Sequence, residues 1–345
     1  PGGNNQAGNI YATIAGYDRV QSNYKLTGKL GADITIIPSL VWHNSFAATG
    51  NFYNLRQMNY PDNYLWDLKN DVPLTNIGTT SNQLTEQNDL DYTLMLDSYL
   101  TWEVLPKIAD HNLSVTAGYN QEYRRYHWSS SMAQDVLSSS TPTFDAAATP
   151  SSMKGNSTDS AVRSFFGRVN YDYKSRYIFE ANLRADGSSR FAPGHRWGFF
   201  PSFSAAWRIS EEPWFKVSAI DNLKLRASWG KLGNNAVGDY ATQLLYERRN
   251  YVFGGTARPG AGISAIVNDD LTWETTTMTD IGLDVSAFGG QLTGTIDVYD
   301  KITDDILIRA SIPGVFGYLD APFTNAGIVR NRGFEAEISW KGGIG

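Results

Sequence analysis

The chain contains no cysteine. Neither a disulfide framework nor a thiolate metal site can form. Long apolar runs are missing, and the mean hydropathy is −0.34. An ordinary transmembrane helix is therefore excluded. Membrane-spanning strands are not, because such a strand is apolar on one face only. No basic run of the nucleic-acid-binding kind is present, and the formal net charge is −6. Nucleic acid is not an expected partner. His43, His111, His127 and His195 stand singly, without metal-ligand spacing. There is no P-loop and no dinucleotide fingerprint, and Ser188 and Ser189 lack a nucleophile-elbow context. The adjacent carboxylates Asp269-Asp270 and Asp304-Asp305 read as solvated loop residues rather than as a hydrolase pair. No enzymatic activity, metal or cofactor is expected. The first residues, Pro1-Gly2-Gly3-Asn4-Asn5, carry neither the basic segment nor the apolar stretch of a signal peptide.

What is present is a long series of alternating segments. The 345 residues include 19 Tyr, 16 Phe and 10 Trp, a composition suited to strands and interfacial belts. Tyr24, Leu26, Leu30, Ala32 and Ile34 share one face of a segment at Asn23–Ile34, with Lys25, Thr27, Lys29 and Asp33 opposite. The clearest run is Leu90, Tyr92, Leu94, Leu96, Leu100 and Trp102. Similar faces recur in Leu40–Phe46, Leu113–Tyr119, Phe165–Tyr173, Tyr177–Leu183, Phe199–Ile209, Leu223–Trp229, Ile281–Val285, Leu292–Val298 and Phe334–Trp340. The total is roughly eleven strands, or twelve if Asn9–Tyr17 forms one.

The connectors follow a rhythm. Short links at Pro38-Ser39, Pro106, Lys174-Ser175-Arg176, Glu211-Glu212-Pro213 and Phe288-Gly289-Gly290-Gln291 alternate with long polar stretches. The long ones are expected over residues 48–89, 124–160 and 230–275. Short turns on one side and long loops on the other mark a transmembrane β-barrel. Arg168, Glu180, Arg184, Arg208 and Glu337 then face a wet lumen. Facing lipid near the midplane would cost about 2–4 kcal/mol for an Arg. Trp102, Trp207, Tyr173 and Tyr177 fall where an interfacial aromatic girdle would lie. A soluble all-β protein with the same alternation around a dry core remains the alternative, as a binding or adhesion module.

Residues 184–215 read RADGSSRFAPGHRWGFFPSFSAAWRISEEPWF. This stretch resembles a recurrent barrel segment of SusC/RagA-type TonB-dependent outer-membrane transporters. Asn222–Asn235, Leu271–Lys301 and Asn325–Trp340 resemble the same family in the same order. The resemblance covers about residues 162–340. The earlier residues fit the barrel pattern without a comparable signature. Within these stretches Asp186-Gly187-Ser188-Ser189 is expected to start a loop. Gly233-Asn234-Asn235 is expected to turn out of a strand with positive φ. Arg190 and Arg196 are expected to pair with carboxylates or loop carbonyls. Asn325, Gly327, Asn331 and Gly333 read as a loop returning to a strand.

The resemblance implies a large plugged barrel in the outer membrane of a Gram-negative bacterium. It implies import of oligosaccharides or other large nutrients, or of oligopeptides, energised through the TonB complex. It also implies a SusD-like lipoprotein lid over the barrel. A plugged transporter has about 22 strands. No plug, TonB-contacting segment or terminal barrel strand is identified here. Residues 1–345 are therefore expected to be part of a barrel domain, about half of one, within a longer polypeptide. A passive porin is a weaker option. Cargo contacts are expected on loop aromatics that stack on sugars or pack peptide side chains: Tyr53, Tyr60, Trp66, Trp128, Tyr240 and Tyr251.

Overall fold

A computed structural model describes residues 17–60, 66–67, 72–73, 81–108, 110–138, 140, 142–317 and 319–342. In chain order its strands are β1 (Tyr17–Ile37), β2 (Leu40–Asn59), β3 (Trp66–Asp67), β4 (Val72–Pro73), β5 (Gln83–Ile108), β6 (His111–Val136), β7 (Ala147–Tyr173), β8 (Tyr177–Ser188) and β9 (Trp197–Arg208). There follow β10 (Ile220–Asn234), β11 (Tyr246–Phe253), β12 (Thr256–Ile263), β13 (Glu274–Ala287), β14 (Leu292–Asp304), β15 (Leu307–Arg309), β16 (Phe323–Asn325) and β17 (Ile328–Trp340). Eleven of them form one sheet in the order β1-β2-β5-β6-β7-β8-β9-β10-β13-β14-β17. The strand count matches the alternation in the sequence. The possible extra strand at Asn9–Tyr17 lies outside the described residues except for Tyr17, which opens β1.

The chain divides into two compact units. The first comprises Pro1–Lys29, Ala47–Leu94 and Arg124–Asp159. It holds stretches of β1, β2, β5, β6 and β7. Its core is Met58, Leu84 and Val136, against which Tyr60, Phe144 and Ala146 pack. Asn82 closes this core: its carboxamide accepts from the Val136 N–H and donates to the Val136 carbonyl at 2.8 Å. Arg124 grips Asp91 with two hydrogen bonds of 2.9 Å.

The second unit comprises Leu30–Phe46, Met95–Tyr123 and Ser160–Gly345 and holds part of every strand of the large sheet. Register divides its two faces. Arg168 opposes Asn182, Glu180 opposes Ser204, Arg208 opposes Lys224, Lys224 opposes Asp284, and Thr295 opposes Glu337. The five charged residues assigned to a lumen thus share one face. The other face carries Phe179, Phe203, Trp229, Ile281, Val298 and Phe334, all well exposed. An apolar face of this size has no place in water.

Four expectations about local structure are corrected. Residues 48–59, 83–89, 124–136 and 147–160 are strand rather than loop, because β2, β5, β6 and β7 run 20, 26, 26 and 27 residues. A membrane crossing needs about 9–11 residues per strand. Beyond that length both faces are polar and the alternation fades, while the backbone ladder continues. The 230–275 loop likewise contains the β11–β12 hairpin. Asp186-Gly187-Ser188 belongs to β8, where the Trp197 ring lies against Gly187, and the turn starts only at Ser189. Gly233 and Asn234 end β10, and neither has a positive φ. A glycine is needed at 233 because a Cβ would lie 2.1 Å from the Phe200 ring. Of the short links, Pro106 lies inside β5 and the turn comes after Ile108, whereas the others hold: Lys174 and Ser175 are left-handed, as are Phe288, Gly289 and Gly290.

Candidate functional site

The charged face of the second unit is a bonded wall rather than a row of free side chains. Its centre is a cross-strand row, Arg226–Gly282–Asp297. Gly282 leaves the middle of the row empty, and the Arg226 guanidinium lies across it. Nη2 meets Asp297 at 2.6 Å, Nη1 meets Asp280 at 3.3 Å, and Nε meets Asp284 at 3.2 Å. A Cβ at 282 would sit 2.3 Å from the Asp297 carboxylate and 2.5 Å from the Arg226 Cζ. Lys224 adds a second cation to Asp284 at 2.8 Å. A hollow of about 410 Å³ opens beside Arg226, lined by Ser228, Met278, Tyr299, Lys301 and Glu335.

The same economy governs the strands beside it. Arg184 donates to both oxygens of Asp186 at 2.7 and 2.9 Å and to the fully buried Ser164 at 2.9 Å. Arg168 donates to Asn182, which donates in turn to Glu180 and Ser202. Both signs of charge are present, and around Arg226 two cations meet three carboxylates. Among the described residues there is no cluster that could hold a metal ion. Chemically the wall offers many moderate hydrogen-bonding partners and no reactive group.

Beyond the wall, at the β8–β9 and β10–β13 connections, lies a packed core. Phe191, Phe200, Val237, Leu271 and Trp273 are buried together. Arg190 pairs with Asp239 at 2.9 Å and with the Asn235 carbonyl, and Arg196 donates to the Phe191 carbonyl. Both arginines therefore do what the motif suggests. Gly327, at φ 89°, makes the bend into β17. Asn325 holds that connection through Thr272 and the Asp305 carbonyl. Asn331 and Gly333 already lie within β17.

At the other strand end, Glu212 ties two short links together. It is 8% exposed. It accepts from the Tyr177 hydroxyl at 2.6 Å, the Trp207 indole at 2.9 Å and Arg176 at 3.1 Å. The Tyr177 hydrogen bond, with those from Trp207 and Arg176, holds the carboxyl below its ordinary value of 4.5 against the opposing effect of burial. A depressed carboxyl contributes stability at neutral pH that is lost as pH falls through the lowered value. Hydrogen exchange over residues 205–216 is expected to show protection at pH 6 that collapses in acid below pH 4.5. Glu212→Gln is expected to show weaker protection with no acid step. A full acid step in that variant would refute the assignment.

The six aromatics expected on loops are differently placed. Tyr53 lies in β2, Trp128 in β6 and Tyr251 in the β11–β12 hairpin. Trp66 opens the short β3. Tyr60 follows β2 and packs on Met58 and its neighbours. Tyr240 sits in a turn at φ 63°. Within the first unit Tyr60 is thus a packing residue. The Arg226 cluster escaped sequence reading. Its signal was the spacing of Asp280 and Asp284, four apart on one strand face, with Asp297 at the register position across Gly282.

The family model described as "TonB dependent receptor-like, beta-barrel" matches residues 1–344. TonB-dependent receptor SusC of Bacteroides thetaiotaomicron is 40% identical over 194 residues, covering 53% of this chain and 19% of that protein. TonB-dependent receptor P39 of Formosa agariphila is 40% identical over 187 residues, covering 54% of this chain and 18% of that protein. The chain spans about a fifth of the length of these two relatives. In fold it is similar to a structure of the RagAB peptide transporter, with a TM-score of 0.84 and 21% identity over 94% of this chain and 35% of that one.

Proposed function

Because the chain belongs to the TonB-dependent receptor-like β-barrel family, we propose that it forms part of the wall of an outer-membrane importer for oligosaccharides or other large nutrients. The family's members are outer-membrane β-barrels of Gram-negative bacteria, so the apolar face of the sheet is its lipid face and the charged face its lumen. The soluble-module alternative falls with that placement. Residues 1–345 are read as a partial barrel domain. A plug and its TonB-contacting segment would lie elsewhere in a longer polypeptide, and a SusD-like lipoprotein would cap the long loops. Membership of a receptor and transporter family supports a role in transport.

The observation that carries this reading is the wall around Arg226. Arg226 and Lys224 are held by carboxylates within the wall, and its hydroxyl, amide and carboxylate oxygens face the lumen. Neutral polyhydroxylated cargo can exchange water for such partners. Tyr53, Trp128, Tyr240 and Tyr251 are the aromatics proposed to meet cargo, and Trp66 joins them on sequence grounds.

The test is uptake by cells carrying or lacking the full-length receptor, using fluorescent oligosaccharides and oligopeptides of similar size. Receptor-dependent oligosaccharide uptake that a protonophore abolishes is the expected result. Receptor-dependent uptake of peptides alone would replace the cargo with oligopeptides. Uptake indifferent to the protonophore would indicate a passive pore.

A further inference from the structure

The lipid face is not uniformly filled. On β8, β9 and β10 the side chains of Ala181, Ala205 and Ala227 form the floor of a slot of about 460 Å³. Register explains the shape. Phe179, Ala205 and Ala227 occupy one cross-strand row, and Ala181, Phe203 and Trp229 the next. The small residues run diagonally between aromatic walls. Phe203 and Trp229 stack at 6.0 Å on one side, and Phe179 stands on the other with 48% of its surface exposed.

We propose that this slot seats one acyl chain of a phospholipid from the periplasmic leaflet. The inference rests on the outer-membrane placement, not on the cargo. The surroundings select the occupant. The slot lies on the face turned to hydrocarbon, and its lining there is apolar apart from the hydroxyls of Tyr171 and Thr279, so water finds few polar partners. Its volume equals roughly fifteen water-sized units, and a methylene group is about that size, so one chain fills it.

Depth selects the leaflet. Tyr173, Tyr177 and Trp207 mark the aromatic row beside the short links, Tyr177 opposing Tyr173 on one side and Trp207 on the other. The two slot rows lie two and four residues further along the strands, a rise of at most about 14 Å before tilt. The apolar band is about 25 Å tall, so the slot falls in its periplasmic half. Trp214, 62% exposed and edge-on to Trp207 at 6.4 Å, stands beside the row at the level of the headgroups.

Native mass spectrometry of the full-length receptor, released gently from bilayers of phosphatidylethanolamine and lipid A, tests the proposal. Wild type is expected to retain one phospholipid per receptor. Ala205→Phe, which fills the slot, is expected to lower that occupancy roughly tenfold. Val298→Phe places a phenyl ring on the same face outside the slot and is expected to retain the lipid. Heat-modifiable gel migration identifies any variant that fails to fold, and Ala227→Leu then replaces it. Equal retention in all variants would overturn the proposal. So would retention of lipid A in place of phospholipid, or a loss of receptor dimers on filling the slot with no change in bound lipid.

Discussion

Arg226→Met is expected to destabilise the full-length receptor by about 2–3 kcal/mol, read as a lower urea midpoint in lipid vesicles. The substitution keeps most of the aliphatic stem and removes the guanidinium. Asp280, Asp284 and Asp297 then face one another with Lys224 as the nearest remaining cation. Breaking a fully buried pair from one side costs about 3–5 kcal/mol. These side chains are 17–32% exposed, and water in the lumen screens part of that cost. Arg226→Lys recovers little, because an ammonium cannot span three carboxylates with a planar fork. Gly282→Val attacks the cluster from beneath, since its Cβ occupies the space the guanidinium crosses. The double variant should lose less than the two single losses combined, by about 1 kcal/mol, because both remove one arrangement. Strict additivity would show that Arg226 and Gly282 act separately.

Trp273→Ala is expected to have the larger local effect, about 3–5 kcal/mol. Its indole is 6% exposed and packs on Phe191 and Phe200 with ring centroids 5.4 and 5.3 Å away. The indole N–H donates to the Arg196 carbonyl at 2.9 Å. Truncation leaves a cavity among the rings and removes one of the two hydrogen bonds that the Arg196 carbonyl accepts, the Ser188 N–H supplying the other. The damage should fall on the connections and spare the sheet, whose ladder does not depend on this cluster. Limited proteolysis of intact cells should cut within residues 189–196 or 235–273 in the variant while the gel shift of the folded barrel persists. Trp273→Phe should restore most protection, and loss of the folded barrel itself would show that this core supports the sheet.

The alternation made the eleven-stranded sheet legible because only one face of each strand was free to be polar. Phe165–Tyr173 and Leu292–Val298 show this period plainly. The lumen assignment of Arg168, Glu180, Arg184, Arg208 and Glu337 followed from the same parity. Where the pattern failed, a physical cause stands behind it. Residues 124–136 and 147–160 carry polar residues on both faces, so no alternation remained to mark them as strand. Glu212 looked like a link residue because its partners, Tyr177 and Arg176, come from a different link. The Arg226 cluster needed the register of three strands, which periodicity within one strand does not contain.

The wall's glycines have a consequence for anything that moves along it. Arg226 lies over Gly282, and the Tyr299 ring lies over Gly333, where a Cβ would come within 2.6 Å of its hydroxyl. Each empty pleat position lets a long side chain recline on the sheet instead of projecting from it. The charged face is thereby smoothed at these two positions by residues that have no side chain. In the proposed importer a travelling solute meets a succession of shallow holds rather than one deep trap. Such a surface favours passage over retention, because entry requires some attraction and exit requires that no single site hold too tightly.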